Sequence, residues 1–403
     1  MKILLVTEFF PPQIYGGGEL SAEELASALH QKGVDVHVLT STKTSRSYPI
    51  HSTLKTGNPK AVLGNFKRIL ILKFSINKEI NKLDKLYNFD IIHYLNTTSI
   101  SGNKTKKVKI ATINGYNNFC PKRNLYYKEQ SVCTGCSLTK VGPCIAASKK
   151  IGKTNNPGYI RFNPLAWFVL YYKYVRSKNH LKKIDYFIPI SEFTKKQLIK
   201  NNIKESQIIT IPSIFTPPKV ASFTIEKNGP IITYLGSLEK HKGLELLINA
   251  FNKIASKAML IIAGDGPEKE SLKQIANEKV LFLGHLNYEQ TAALYKQSDI
   301  IVLPSLWPEP LSRVSIESMY FEKPLIATAV GGNPDYIKNG TTGYIVASQE
   351  ELTQKMELLI NNPTLRNYLG KEAKKMYEEM LKKEKVVSKL IETYEKIKNG
   401  KMD

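Results

Sequence analysis

At 403 residues the chain exceeds what one ordinary hydrophobic core supports and suits two domains of about 200 residues each. Its 42% hydrophobic content befits packed globular domains, no run of about 18 uninterrupted apolar residues occurs, and Met1-Lys2 leads straight into Ile3-Leu4-Leu5-Val6. Neither a spanning helix nor a secretory leader is therefore expected, and a soluble, cytoplasmic chain is. The net charge of +23 is concentrated: residues 101–183 hold 17 Lys or Arg against one acid, Glu129, a local balance of +16.

The chain opens with a βαβ unit: a strand over Lys2–Thr7, a loop with Pro11, Pro12 and Gly16 to Gly18, a helix from Glu19 to Lys32, and a strand over Val34–Thr40. Helical periodicity runs through Leu63–Leu86, and Ile91–Tyr94, Val108–Thr112 and Tyr186–Ile190 read as buried strands. Between them lies the basic segment, about residues 114–182, in which Pro164 to Val175 form an aromatic-apolar block bracketed by Arg161 and Arg176. Basic and aromatic side chains together suit an anionic membrane surface; nucleic acid fits the same composition, as does a plain core with a solvated lysine face. Ser191 is a candidate cap for a helix over Glu192–Asn202.

A boundary falls near Pro212 to Asn228, where Pro217-Pro218 and polar residues break the pattern. Thereafter Ile231–Leu235, Met259–Ala263, Val280–Leu283, Ile300–Leu303, Leu325–Ala329 and Tyr344–Val346 are strand-like with amphipathic segments between them. Two doubly wound parallel sheets are the expected architecture: residues 1–215, residues 229–378, and a helical tail over 379–403. The run Trp307-Pro308-Glu309-Pro310-Leu311-Ser312-Arg313-Val314-Ser315-Ile316-Glu317 follows a buried strand. It puts Glu309 in a loop and Glu317 on a helix, both near the carboxyl edge where open α/β sheets hold ligands.

These features together resemble a family 4 glycosyltransferase with the GT-B fold. The resemblance rests on Pro11-Pro12 with Gly16-Gly17-Gly18-Glu19, Gly236-Ser237-Leu238-Glu239-Lys240-His241-Lys242-Gly243, Ala263-Gly264-Asp265-Gly266-Pro267, Phe282-Leu283-Gly284-His285, the Glu309/Glu317 pair and Val330-Gly331-Gly332. It implies an α/β fold of two Rossmann-like domains facing a cleft, a C-terminal helix crossing back to the first domain, and transfer of a hexose with retention. Lys242 is then expected to neutralise the donor's diphosphate, Glu309 to orient the sugar near its reacting carbon, and Glu317 to hold the ribose. Gly284, His285 and Leu286 would contact the base, and Gly236, Ser237, Gly264 and Gly266 would shape the cleft wall. Leu311, Ser312 and Arg313 would bring helix amides and charge to the phosphates. Gly17 and Gly18 would let the donor approach backbone amides without a Cβ in the way. His93 matches a strand-end catalytic position, although a satisfied core histidine explains it nearly as well. Two positions depart from the family: Ser237 stands where Arg is usual and Asn114 where His is frequent, and Arg313 is a candidate replacement for the missing charge.

The expected partners are a UDP- or GDP-sugar, a glycan or lipid-linked acceptor, and an anionic membrane at the inner face of the cell, with nucleic acid not expected. No Asp-x-Asp sequence occurs, and no catalytic metal is expected. The four cysteines, Cys120, Cys133, Cys136 and Cys144, fall within 25 residues and are spaced adequately for a structural zinc, with an iron–sulfur cluster as runner-up. Two competing classes remain at this point: a sugar-nucleotide epimerase or phosphorylase on the same fold, and a non-catalytic binder of membrane or nucleic acid on a degenerate scaffold.

Overall fold

The computed structural model describes residues 1–58, 62–151, 154–226 and 228–400, and the chain divides into two compact units. Lys227 of the expected linker and residues 401–403 of the expected tail lie outside the described residues. The first unit comprises Met1–Ile214 together with the segment from Val386 onward; the second is Phe215–Lys385.

The first sheet contains β1 (Lys2–Val6), β2 (Asp35–Leu39), β3 (Ile50–His51), β4 (Ile91–Tyr94), β5 (Val108–Ile113) and β6 (Tyr186–Pro189). All are parallel, in the order β6-β5-β4-β1-β2-β3. The second contains β7 (Ile231–Leu235), β8 (Met259–Ala263), β9 (Val280–Gly284), β10 (Ile300–Leu303), β11 (Leu325–Thr328) and β12 (Gly343–Val346). These too are parallel, in the order β9-β8-β7-β10-β11-β12. Parallel sheets need helices on both faces, so their strands read as continuous apolar runs. The second unit shows this directly. Ile232, Tyr234, Leu260, Ile262 and Val302 face Leu247, Ile248 and Met356 on one side, while Ile231, Ile261, Ile301 and Leu303 face Leu294 and Tyr295 on the other.

In each sheet the strand order reverses once, between β4 and β1 and between β7 and β10. Crevices at such reversal points, outside the carboxyl ends of the strands, are where doubly wound folds bind ligands. The helix Lys383–Lys398 completes the first unit, laying Val386, Val387, Leu390, Tyr394 and Ile397 into the core that also holds Ile3, Leu5, Leu29 and Ile91.

The basic insert carries more order than its composition suggests. A helix over Leu138–Ala146, capped by the Ser137 side chain, packs through Val141 and Ile145 on Trp167 and Tyr171 of a second helix, Pro164–Leu181. Gly142 makes this crossing possible, because a Cβ there would lie 2.6 Å from the Trp167 ring. The second helix is capped by Asn163, whose side chain accepts from the amides of Leu165 and Ala166.

Candidate active site

The second unit builds its site from the loops after β7 and β10. After β7 the chain passes Gly236 and Ser237, both exposed, and makes one 3-10 turn over Lys240–Lys242. Gly243 ends that turn at φ 73°, and a Cβ on it would stand 1.9 Å from the Pro304 carbonyl. Only glycine lets the helix Leu244–Asn252 start this close to the end of β10, and that approach sets Lys242 against the loop beyond β10.

There the Lys242 ammonium donates to Glu309 Oε1 at 2.5 Å and lies 5.3 Å from the centre of the Trp307 ring. The same oxygen accepts from Ser305 Oγ at 2.9 Å and from Trp307 Nε1 at 2.8 Å. Glu309 is buried. Burial alone would raise its pKa; the Lys242 charge and the three hydrogen bonds outweigh that and hold the carboxyl below its usual value. The backbone is clamped as well: the Gly332 amide donates to the Glu309 carbonyl at 2.7 Å, and Gly331, at φ 62°, leaves no room for a Cβ, which would lie 2.3 Å from that carbonyl oxygen. Glu309 is thus an ionised, fixed carboxylate with a cation on one oxygen.

Glu317 is held differently. It sits on the helix Arg313–Tyr320, accepting from Arg313 Nε at 3.0 Å on one oxygen and from Tyr295 Oη at 2.9 Å on the other. The Arg313 guanidinium also donates to Tyr288 Oη and lies 5.4 Å from the centre of the Phe215 ring. The charge expected to replace the family's arginine at position 237 is therefore already matched by Glu317. Ser312 caps that helix by position but makes no side-chain cap bond.

Gly236, Gly264 and Gly266 form a second contact group. A Cβ on Gly264 would lie 1.8 Å from the Gly236 carbonyl and one on Gly266 2.4 Å from the Leu238 carbonyl, so these glycines join the loops after β7 and β8. Gly284 turns left-handed at φ 71° as the last residue of β9, His285 is exposed, and half-buried Leu286 packs on the core. Leu311 packs beside the cluster of Ile316 and Met319.

In the first unit, Gly17 opens the helix Gly17–Gln31, and Gly18 lines a cavity of about 50 Å³ with His93, Thr112, Asn114 and Ser213. Here the expectation of a catalytic His93 is corrected. The imidazole is fully buried, joined at Nδ1 to Tyr394 Oη (2.6 Å) and at Nε2 to Thr112 Oγ1 (2.8 Å). Burial draws its pKa down to about 3, so it is a neutral core histidine tying the C-terminal helix to β4 and β5.

The four cysteines carry free thiols and line one cavity of about 20 Å³. Burial, and then its neighbours Cys120, Cys133 and Cys144, push the Cys136 thiol up to about 12. Yet among the described residues no three Cys, His, Asp or Glu side chains stand close enough to share one ion. Sequence reasoning missed Ser305, Trp307, Tyr288 and Tyr295; Trp307, two residues before Glu309, is the one that local spacing signals.

Two doubly wound units with a fixed lysine–glutamate pair at the second reversal point define the GT-B class. Residues 15–214 match the family model described as Glycosyltransferase Family 4, and residues 216–376 the one described as Glycosyl transferases group 1. The chain belongs to the glycosyltransferases whose two domains those models describe. It is similar to an uncharacterized glycosyltransferase of Methanocaldococcus jannaschii, 28% identical over 59% of this chain and 64% of that one. It is also similar to the N-acetyl-alpha-D-glucosaminyl L-malate synthase of Bacillus anthracis, 30% identical over 45% and 50%. The chain thus spans between about half and two thirds of the length of these relatives. In structure it resembles Anabaena HepE in complex with UDP (TM-score 0.67, 16% identity, 98% and 99% covered). Sucrose-phosphate synthase of Thermosynechococcus elongatus is a second likeness (TM-score 0.72, 19%, 98% of each). At such identities these two speak for the fold.

Proposed function

We propose that the protein transfers a hexose, with retention, from a UDP- or GDP-sugar to a glycan or lipid-linked acceptor. The observation that carries this is the Lys242–Glu309 pair beside the end of β10. As the donor's glycosidic bond breaks, negative charge grows on the leaving diphosphate; Lys242 is the cation poised to meet it, and the helix Arg313–Tyr320 adds amides that no side chain caps. Glu309, ionised and immobile, orients the sugar and favours positive charge at its anomeric carbon without forming a bond to it. Glu317 takes the ribose hydroxyls on its remaining lone pairs. Solved structures of a similar fold carry UDP and UDP-glucose, which supports this donor class.

The test is hydrolysis of UDP- and GDP-sugars by the purified chain. Slow release of nucleoside diphosphate that vanishes in Glu309→Ala is the expected result, and proton NMR of the product reads the anomeric configuration. No hydrolysis with any nucleotide sugar, together with tight salt-sensitive RNA binding, would favour the non-catalytic scaffold instead.

A second reading concerns place. Leu165, Phe168, Val169, Tyr172 and Val175 form one exposed stripe at helical spacing on Pro164–Leu181, with Tyr159 and Phe162 just ahead of it and the basic insert around it. No helix among the described residues is long and apolar enough to cross a membrane. The stripe suits lying in the interface of an anionic bilayer. Vesicles of phosphatidylglycerol should sediment the chain and vesicles of phosphatidylcholine should not. The cysteine cavity is read as a structural zinc site that clamps the insert; metal analysis of the purified chain tests it.

A further inference from the structure

The first unit carries a charge cluster that the donor chemistry leaves unused. Glu8 lies two residues past β1, at the carboxyl edge where β1 neighbours β4. It is buried, and it accepts from Arg68 Nε and Nη2, each at 2.5 Å, and from Thr56 Oγ1 at 2.6 Å. Lys73, on the same helix as Arg68 (Val62–Tyr87), donates to the carbonyls of Thr98 and Ile100 just beyond β4. Two further cations arrive from the insert: Arg123, held in the left-handed region at φ 71°, and Lys173 on Pro164–Leu181.

Lys173 feels the charges of Arg123, Arg68, Lys73 and Glu8, Lys73 those of Glu8, Arg68 and Arg123, and Arg123 those of Arg68, Glu8 and the Cys120 thiol. Four cations therefore share one carboxylate. Among the described residues no acceptor bonds the Arg123 guanidinium or the Lys173 ammonium, although both are only partly exposed. Burial and mutual repulsion draw Lys73 down to about 7 and Arg123 to about 10. Uncompensated like charges enclosed by protein are costly unless something anionic joins them. Space adjoins the cluster: a recess of about 500 Å³ is lined by Phe9, Gln13, Tyr15, Leu54, Thr56 and Ile71, of which Thr56 bonds Glu8 and Phe9 lies beneath the Arg68 guanidinium.

We propose that Arg68, Lys73, Arg123 and Lys173 form an anion site around Glu8 that takes the phosphate or pyrophosphate group of the acceptor. The assignment to the acceptor rests on the glycosyltransferase reading; the anion site itself rests on the cluster. With Lys73 protonated, as a bound anion favours, the four cations exceed Glu8 by three charges, which match a doubly ionised phosphate or pyrophosphate better than a single carboxylate, and the Arg123 fork suits two oxygens of one phosphate.

Calorimetric titration of the full chain with inorganic pyrophosphate tests it, with Lys242→Ala removing the grip expected for the donor. Binding should persist in Lys242→Ala and weaken at least tenfold in Arg123→Gln and in Lys173→Met, about the effect of losing one charge-assisted hydrogen bond. In the wild-type chain, which needs no variant to fold, pyrophosphate should also shield Lys173 from acetylation, read by peptide mass spectrometry. Pyrophosphate binding that is lost in Lys242→Ala and indifferent to Arg123 and Lys173 would overturn the anion site while leaving the donor reading intact. Persistent binding at Arg123 and Lys173 without any sugar-nucleotide hydrolysis would do the reverse. A hexose 1-phosphate in solution and a polyprenyl pyrophosphate in phosphatidylcholine vesicles distinguish the two sources; binding of neither overturns the assignment to the acceptor.

Discussion

The two strand-order reversals in this molecule are topologically alike and electrostatically opposite. Beyond β10, Lys242 meets Glu309 and Arg313 meets Glu317, so each cation has its own carboxylate. Beyond β1, Arg68, Lys73, Arg123 and Lys173 surround Glu8 alone. A self-neutralised site holds its groups in fixed geometry before any ligand arrives, which suits chemistry at a reacting centre. A site left with excess charge is completed by what it binds. On the proposed reading, the same fold supplies one edge for precision and one for capture.

The comparison is broken most severely at the Lys242–Glu309 edge. Lys242→Ala should lower sugar-nucleotide turnover by about 10²–10³, the usual cost of removing one preorganised charge-stabilising donor; a rate within twofold of wild type would show that the pair is only structural. Arg68→Met attacks the other edge. It leaves Glu8 buried without its guanidinium and should cost about 3–5 kcal/mol of folding stability, measured by urea denaturation. Loss of under about 1 kcal/mol would mean that Lys73, Arg123 or Lys173 moves in to replace it.

Acidity sharpens the contrast further. Lys73 titrates near 7 in the folded chain and at its ordinary 10.5 when unfolded, so between these values the unfolded state binds more protons. Stability should therefore rise with pH from about 7 to 10.5 through this group, and Lys73→Met should remove that slope. Glu8, Arg68, Arg123, Lys173 and His180 face it; burial and neighbouring cations hold His180 near 4, so it stays neutral over this range. Because a bound anion restores the proton to Lys73, pyrophosphate affinity should fall as pH rises through 7. The smallest effect belongs to Trp307→Phe, which keeps the ring under Lys242 but loses one hydrogen bond to Glu309. It should slow turnover about tenfold, as a single neutral-to-charged hydrogen bond of about 1.5 kcal/mol implies.

How far these regions could be read from the sequence differs in the same way. The strands were legible because each sheet is buried on both faces, making Ile300–Leu303 an unbroken apolar run and Ile231–Leu235 one interrupted only by Thr233. Lys242, Glu309 and Glu317 were legible as an ordered set of short motifs at strand ends. The insert helices were not: Pro143 interrupts the helical pattern of one, and the outward stripe of the other mimics a core. His93 was misjudged because its strand alternates faces, and nothing local says that Tyr394, 301 residues later, occupies the side it points to. The cluster around Glu8 has no local signature either, since Lys173 and Arg68 reach it from separate helices far apart in the chain.

The return of the C-terminal helix sets a consequence for biosynthesis. The half of the protein made first keeps an unfilled hollow in its core until Val387, Leu390 and Tyr394 emerge from the ribosome, after the whole second half has been made. The earliest domain to begin folding is therefore the last to be sealed, and a fragment ending at residue 214 would present to water the greasy seat meant for the chain's own tail.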